Sequence, residues 1–399
     1  MKLKKIYQYT CLIIMASMLT LSCKKNQDPS IDNYFLNYQI PEVPVTADYV
    51  VGALYYTSAT FNANITYTPL AGKYVTPVTG IVPAATMQMH IDEAAAAKID
   101  YFVFSMRSAN LDANNYKVDS LTVGSFLAAP NVSKMNFAVS YNLTTGTLGI
   151  SDTGNPDANG NPRGTPLEAN ATKLEGFYRD FQRLAFYMAK PNYQKINGKP
   201  ILIINHAQSL NSNMDPANPG SDQPVYTELR RRLSLVGLDV YIIAEQDQWS
   251  TPNNYYFRYQ NCVDAVYEAN MTDNRGNIDR NYIFATMCDQ SFAYWKKELE
   301  SWPAGGLTPG KNNLEFVPMI EAGYNYQITA PTNTNLSIPR TADGSFYRTY
   351  TNIAKRNASA SRLVLIDSFN NFSIDTQIEP TQEYGTLYMD ITKQEFKIN

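Results

Sequence analysis

The sequence predicts an α/β fold, a (β/α)8 TIM barrel. Three observations lead there: short apolar runs recur eight times, helical patterns separate most of them, and 399 residues suffice for a barrel with insertions. Strands that alternate with helices imply parallel pairing through right-handed crossovers. In chain order, the run Val50–Tyr56 is followed by the helical stretch Ala84–Lys98, where Ala94 to Ala97 supply helix propensity and Met87, His90 and Ile91 share a face. The runs Tyr101–Met106, Met135–Tyr141 and Pro200–Asn205 come next. Lys173–Ala189 lies before the last of these, with Leu174, Phe177, Phe181, Leu184, Ala185 and Met188 at the 3.6 period. Tyr226–Val236 leads into Val240–Ala244 and Cys262–Tyr267, Tyr282–Trp302 into Phe316–Ile320, and Phe346–Arg356 into Leu363–Phe369. Arg107–Lys134 and Asn142–Thr172 are expected as insertions, the second rich in Gly, Asn, Pro and Asp. A doubly wound open sheet is the alternative, but no Gly-rich phosphate turn follows the first strand.

Ahead of the barrel, Met1-Lys2-Leu3-Lys4-Lys5 is basic, Cys11 to Leu21 is apolar, and Ser22 precedes Cys23. This pattern reads as an export signal too short to span a bilayer as a mature helix. Leu19-Thr20-Leu21-Ser22-Cys23 resembles the lipobox of bacterial lipoproteins, which implies cleavage after residue 22, a lipid on Cys23, and a place on the bacterial outer membrane or cell surface. The expected division is 1–22 signal, 23–47 flexible tether with Pro29, Pro41 and Pro44, and 48–399 barrel. Cys262 and Cys288 then remain, as buried thiols or as one disulfide. Neither has a His nearby in sequence, which argues against a cysteine protease.

Composition narrows the function. Lys and Arg number 33 against 36 Asp and Glu, and loss of residues 1–22 leaves 30 against 36, a net charge of −6. Nothing there suits a nucleic-acid partner. Two His in the whole chain exclude a His-rich metal site, and no cofactor is expected. The Asp157–Glu168 loop has Pro162 where a calcium loop needs its turn Gly. The surplus is aromatic, with 29 Tyr, 17 Phe and 3 Trp, which fits either a sugar-binding cleft or Tyr-rich core packing.

Active sites of such barrels lie at the C-terminal ends of the strands. Those ends carry Tyr55 and Tyr56, Ser105 and Arg107, Ser140 and Asn142, and Asn205 and His206. The later strands end in Glu245, Asp247 and Trp249, in Tyr267, Glu268 and Asn270, in Glu321, and in Asp367, Ser368 and Asn370. Carboxylates from several strands beside Tyr and Trp are what glycoside hydrolysis requires: one acid protonates the leaving oxygen, and a second group attacks or activates water. Glu321 and Glu268 are the candidate catalytic residues. Glu321 follows a buried run, Val317-Pro318-Met319-Ile320, where desolvation favours a general acid. The candidate binding residues are Tyr55, Tyr56, Arg107, Asn142, His206, Glu245, Trp249, Tyr267, Asn370, Asn371 and Gln377. His206 and Ser368 lack the Gly-x-Ser-x-Gly elbow of a serine hydrolase.

The eighth run continues as Asp367-Ser368-Phe369-Asn370-Asn371-Phe372-Ser373-Ile374-Asp375-Thr376-Gln377-Ile378-Glu379-Pro380. It resembles the signature SFNEWHEGTQIEP of glycoside hydrolase family 99 and of the related WbsX-type and family 71 barrels. His90-Ile91 with Ile99-Asp100-Tyr101-Phe102, and Phe181 through Pro200, are similar to further family segments, so the likeness runs over roughly residues 48–395. The resemblance implies an endo-acting α-mannosidase barrel whose two catalytic Glu fall on Asn371 and Ile374. Neither side chain performs that proton chemistry. Two readings follow: a lipoprotein that binds a polysaccharide or glycan without the two-Glu chemistry, or an active glycosidase using Glu321, Glu268, Glu245 or Asp375. A structural lipoprotein with no sugar partner is the third.

Overall fold

The computed structural model describes residues 37–56, 65–70, 72–74, 82–151, 164–215, 221–247, 249, 256–269, 271, 283–301, 314–332, 337–338 and 340–398. Its strands are β1 Val50–Tyr55, β2 Tyr101–Met106, β3 Asn136–Asn142, β4 Lys199–Asn205, β5 Tyr241–Asp247 and β6 Ala265–Ala269. An interrupted β7, Glu315–Val317 and Met319–Ile320, and β8 Leu363–Ile366 complete the set. Helices α1 Ala84–Ala96, α2 Ala113–Leu127, α3 Ala171–Met188 and α4 Gln223–Ser234 follow the first four strands. The later strands are followed by the short α5 Tyr256–Tyr259, then α6 Phe284–Ser301, α7 Ser345–Asn357 and α8 Leu387–Phe396. All belong to the compact unit Pro41–Asn399.

Pairing is parallel all the way round. β1 pairs with β2 and β8, and the ladder runs on from β2 through β3, β4, β5 and β6. The first segment of β7 pairs with β6 and the second with β8, so the circuit passes through Pro318. Proline has no N–H to donate, which interrupts the strand, but its carbonyl still accepts from Leu365 N at 2.9 Å. The expected TIM barrel is the fold observed. A short antiparallel segment, Lys195–Ile196, adds to β4.

Arg107–Lys134 is not an insertion. It holds α2, the regular helix of the second βα unit. Its buried stripe is Asp119, Thr122, Val123 and Phe126, helical in spacing but half polar, so the apolar period is hidden in the sequence. Phe126 packs on Phe104, Phe137 and Phe102 at 5.3, 5.5 and 6.2 Å between ring centres, fixing α2 to β2 and β3. Asn142–Thr172 carries only the turn of helix Thr145–Leu148 and Leu167–Ala169 among its described residues, and the calcium-like loop lies outside them. α3 begins where Asn170 Oδ1 caps Thr172 N and Lys173 N, both at 3.1 Å. The C-terminal α8 has no counterpart among the sequence expectations. It buries Tyr388, Met389, Ile391, Thr392 and Phe396 and supplies the helix after β8.

Cys262 and Cys288 are both buried and unbridged, which removes the disulfide alternative. Cys23 and the export signal lie outside the described residues. Val43 N donates to Asn352 Oδ1 at 2.9 Å and Asn352 Nδ2 to Pro41 O at 3.1 Å, tying this part of the chain to α7. Among the described residues, no helix is long and apolar enough to cross a membrane.

Candidate functional site

A cavity of about 380 Å³ opens at the C-terminal ends of the strands. Its walls include Tyr55, Tyr56, Arg107, Asn142, His206, Glu245 and Tyr267, all seven of them anticipated from strand ends, together with Asp119, Asn205 and Asp367. Glu245 lies near the C-terminal end of β5 and is 4 % exposed. Tyr267 Oη, from β6, donates its one proton to Glu245 Oε2 at 2.7 Å and lies 3.0 Å from Asn205 Oδ1. His206 Nδ1 lies 3.1 Å from Glu245 Oε1. His206 reaches that position because its backbone turns left-handed directly after β4, at φ 54°, an uncommon conformation for a non-glycine residue. Burial, then the adjacent Glu245, pushes the Tyr267 phenol well above its ordinary value, so it stays a donor.

Asp367, the residue directly after β8, is 4 % exposed, and its Oδ1 is buried without a hydrogen-bond partner. Its carboxylate accepts from the Tyr56 phenol; burial first, and the Glu245 charge second, raise its pKa to about 7. Tyr56 is held by a backbone clamp: its N donates to Asn370 Oδ1 at 2.7 Å and its O accepts from Asn370 Nδ2 at 3.1 Å. Asn371 also meets the Tyr56 phenol, while its own N donates to Ser368 Oγ at 2.8 Å. Arg107 is spoken for by Asp119: Nη2 to Oδ1 at 2.7 Å and Nε to Oδ2 at 2.9 Å.

The other anticipated residues stand elsewhere. Glu268 is fully buried and, by the pleat that points Tyr267 and Ala269 into the cavity, faces the helices. There it raises the Cys288 thiol and the Tyr350 phenol, as Glu321 does, after burial itself. Glu321 is 2 % exposed and also acts on Tyr56, so it lies between the helix layer and the cleft without lining the cavity. Trp249 packs edge-on against Phe284 of α6 at 6.2 Å. Gln377 is buried, its carbonyl accepting from Arg340. Asp375 is raised to about 6 by burial, with Arg340 opposing, and does not line the cavity. Asn370 and Asn371 act on the cleft through Tyr56. Behind them Asn370 Nδ2 donates to Tyr74 Oη at 3.3 Å, and Tyr74 Oη donates to Glu379 Oε2 at 2.8 Å. His90 Nε2 lies 3.3 Å from Glu379 Oε1, and His90 Nδ1 lies 2.8 Å from Tyr55 Oη. This buried chain ties α1 and β1 to the loop after β8.

Sequence reading passed over Asp367 as a catalytic candidate. Its signal was the one that marked Glu321, an acid directly after an apolar run, here Leu363–Ile366. Among the described residues no group of three His, Cys, Asp or Glu side chains converges to hold a metal ion.

A protein described as a glycoside hydrolase-like protein superposes with a TM-score of 0.74 at 28% identity, over 92% of this chain and 99% of that one. The GH99 endo-alpha-mannosidase from Bacteroides thetaiotaomicron matches with a TM-score of 0.56 at 14% identity, over 88% of this chain and 97% of that one. The fold is that of the glycoside hydrolase (β/α)8 barrels. A GH5_18 protein from Bifidobacterium longum subsp. infantis aligns with a TM-score of 0.50 at 11% identity, over 89% of this chain and 80% of that one. No protein-family model and no curated protein matches the sequence. In this barrel the mouth is the candidate site.

Proposed function

We propose that this chain binds a glycan at the barrel mouth, exported and anchored to the bacterial outer membrane or cell surface through a lipid on Cys23. The observation that carries the reading is the cavity wall: tyrosine, asparagine, serine and carboxylate groups from successive strand ends converge on one volume of about 380 Å³. That size is within the roughly 300–1,000 Å³ usual for ligand pockets, and the wall offers hydrogen-bond donors and acceptors to sugar hydroxyls. The family's two-Glu chemistry is absent from this reading, because Asn371 cannot act as a base and Ile374 carries no proton. Asn371 Oδ1 instead accepts from Ser373 N at 3.2 Å, bracing the loop after β8.

Calorimetry and affinity electrophoresis against a broad polysaccharide panel, mannans included, test the proposal. Binding to at least one polysaccharide is expected, and Tyr56→Ala with Asn142→Ala should weaken it at least about tenfold, the loss of about 1.4 kcal/mol expected for one or two hydrogen bonds. No binding across the panel would overturn it. The anchor is checked separately: Cys23→Ala should release the protein from the membrane fraction.

A further inference from the structure

We propose that Glu245 and Asp367 form the acid–base pair of a glycoside-hydrolysing centre, acting on neutral glycans, at positions distinct from those of the signature. The inference rests on glycan binding at the mouth and adds chemistry to it. Both carboxylates line the same cavity, on the fifth and eighth strand positions. Their surroundings differ in the way an acid and a base need. Both Glu245 oxygens have a partner, His206 Nδ1 at 3.1 Å and Tyr267 Oη at 2.7 Å, which fixes the group as an oriented acceptor. Asp367 lines the cavity with one phenol partner, Tyr56, while its Oδ1 is buried without one. A carboxyl desolvated in this way and set beside a second carboxylate keeps its proton up to near-neutral pH, as a general acid must.

The step balances as a single displacement. Asp367 gives its proton to the glycosidic oxygen while the C1–O bond breaks, and the bond pair leaves with that oxygen. Water attacks C1 from the opposite face and passes a proton to Glu245. Solvent then returns a proton to Asp367 and takes one from Glu245. His206 and Tyr267 hold Glu245 in place for its role as the base. The substrate is neutral because the cationic groups described on the wall are already matched: Arg107 is held by Asp119 in two hydrogen bonds and His206 sits against Glu245, whose charge repels a uronate or sulfate.

The groups that set the pH response of Asp367 are Glu245 from β5, Tyr56 after β1 and Tyr267 from β6, with Glu321 reaching Tyr56. The test uses the full chain against neutral mannans, glucans, galactans and xylans, with 2,4-dinitrophenyl glycosides of the same sugars. Wild type should release reducing ends with inversion at C1, and its kcat/KM should fall as pH rises through about 7. Asp367→Asn should lower polysaccharide cleavage by about 10²–10⁴ and cleavage of the dinitrophenyl glycoside much less, because that leaving group needs no proton. Glu245→Gln should lower both alike. Cleavage within threefold of wild type in either variant, or retention at C1, would overturn the pair. A polysaccharide that is bound but never cleaved would also overturn it while leaving glycan binding intact, whereas absence of any binding defeats the underlying reading. If a variant fails to fold, the wild-type pH profile decides: a profile flat from pH 5 to 9 sinks the role given to Asp367.

Discussion

Asp367 combines two properties that pull against each other. It is buried at the cavity wall, and it faces a second carboxylate, so its ionised form is unfavourable in the folded chain. Its folded pKa of about 7 lies above the ordinary 3.8. Between those values the folded chain keeps a proton that the unfolded chain has released, so this residue makes stability fall as pH rises through the window, with the full penalty above about 7. Asp367→Asn should therefore raise Tm at pH 8 and leave it almost unchanged at pH 4. Equal shifts at both pH values would remove the electrostatic account. The same residue shows where sequence reading stops. An acid after an apolar run is legible, and it correctly placed Glu245 and Asp367 at strand ends. Which of several such acids turns into the cavity depends on pleat parity and on where each strand stops. Glu268, next to Tyr267, falls on the opposite face for that reason, and Glu321 follows a strand that Pro318 has displaced.

At the scale of elements, helices and strands with strong apolar periods were legible to within a few residues. Lys173–Ala189 became Ala171–Met188, and Tyr101–Met106 kept its ends. β6 shifted from Cys262–Tyr267 to Ala265–Ala269, because Cys262 and Val263 close the turn after α5, both amides donating to Tyr259 O. α2 escaped notice because Asp119 and Thr122 occupy half its buried stripe, and Asp119 is there to hold Arg107 rather than to fill the core. The helix is nonetheless part of the barrel. Phe126→Ala should cost about 3–5 kcal/mol, the range for truncating a buried Phe, measured by urea unfolding. A cost below about 1 kcal/mol would mean that this segment is dispensable, as an insertion would be. The polar seam between β6, β7, α6 and α7 was also out of reach from sequence. Cys288 Sγ lies 4.0 Å from Tyr350 Oη, with Glu268 and Glu321 adding negative charge around them, a grouping of four residues that only the closed fold brings together.

For the molecule as a whole, strand and helix alternation was sufficient to specify the barrel, because parallel strands with right-handed crossovers leave few closed topologies. Closure itself is where β7 matters. Its first segment meets β6 through Ala265–Glu315, Val266–Phe316 and Tyr267–Val317, and its second meets β8 through only Leu365–Met319 and Ile366–Ile320. The β2–β3 ladder, by contrast, runs unbroken from Tyr101–Asn136 to Met106–Tyr141. Breathing of the native state should therefore begin along this one line. Hydrogen–deuterium exchange should find amides of Phe316, Met319, Ile320 and Leu365 exchanging sooner than those of Phe102 to Phe104, and protection that is even around the circuit would contradict this. The wall beside Glu321, between the two flanking strands, then works as the barrel's hinge line: thermal opening there loosens the floor of the mouth while the β1–β5 arc, which carries Tyr56, His206 and Glu245, stays latched.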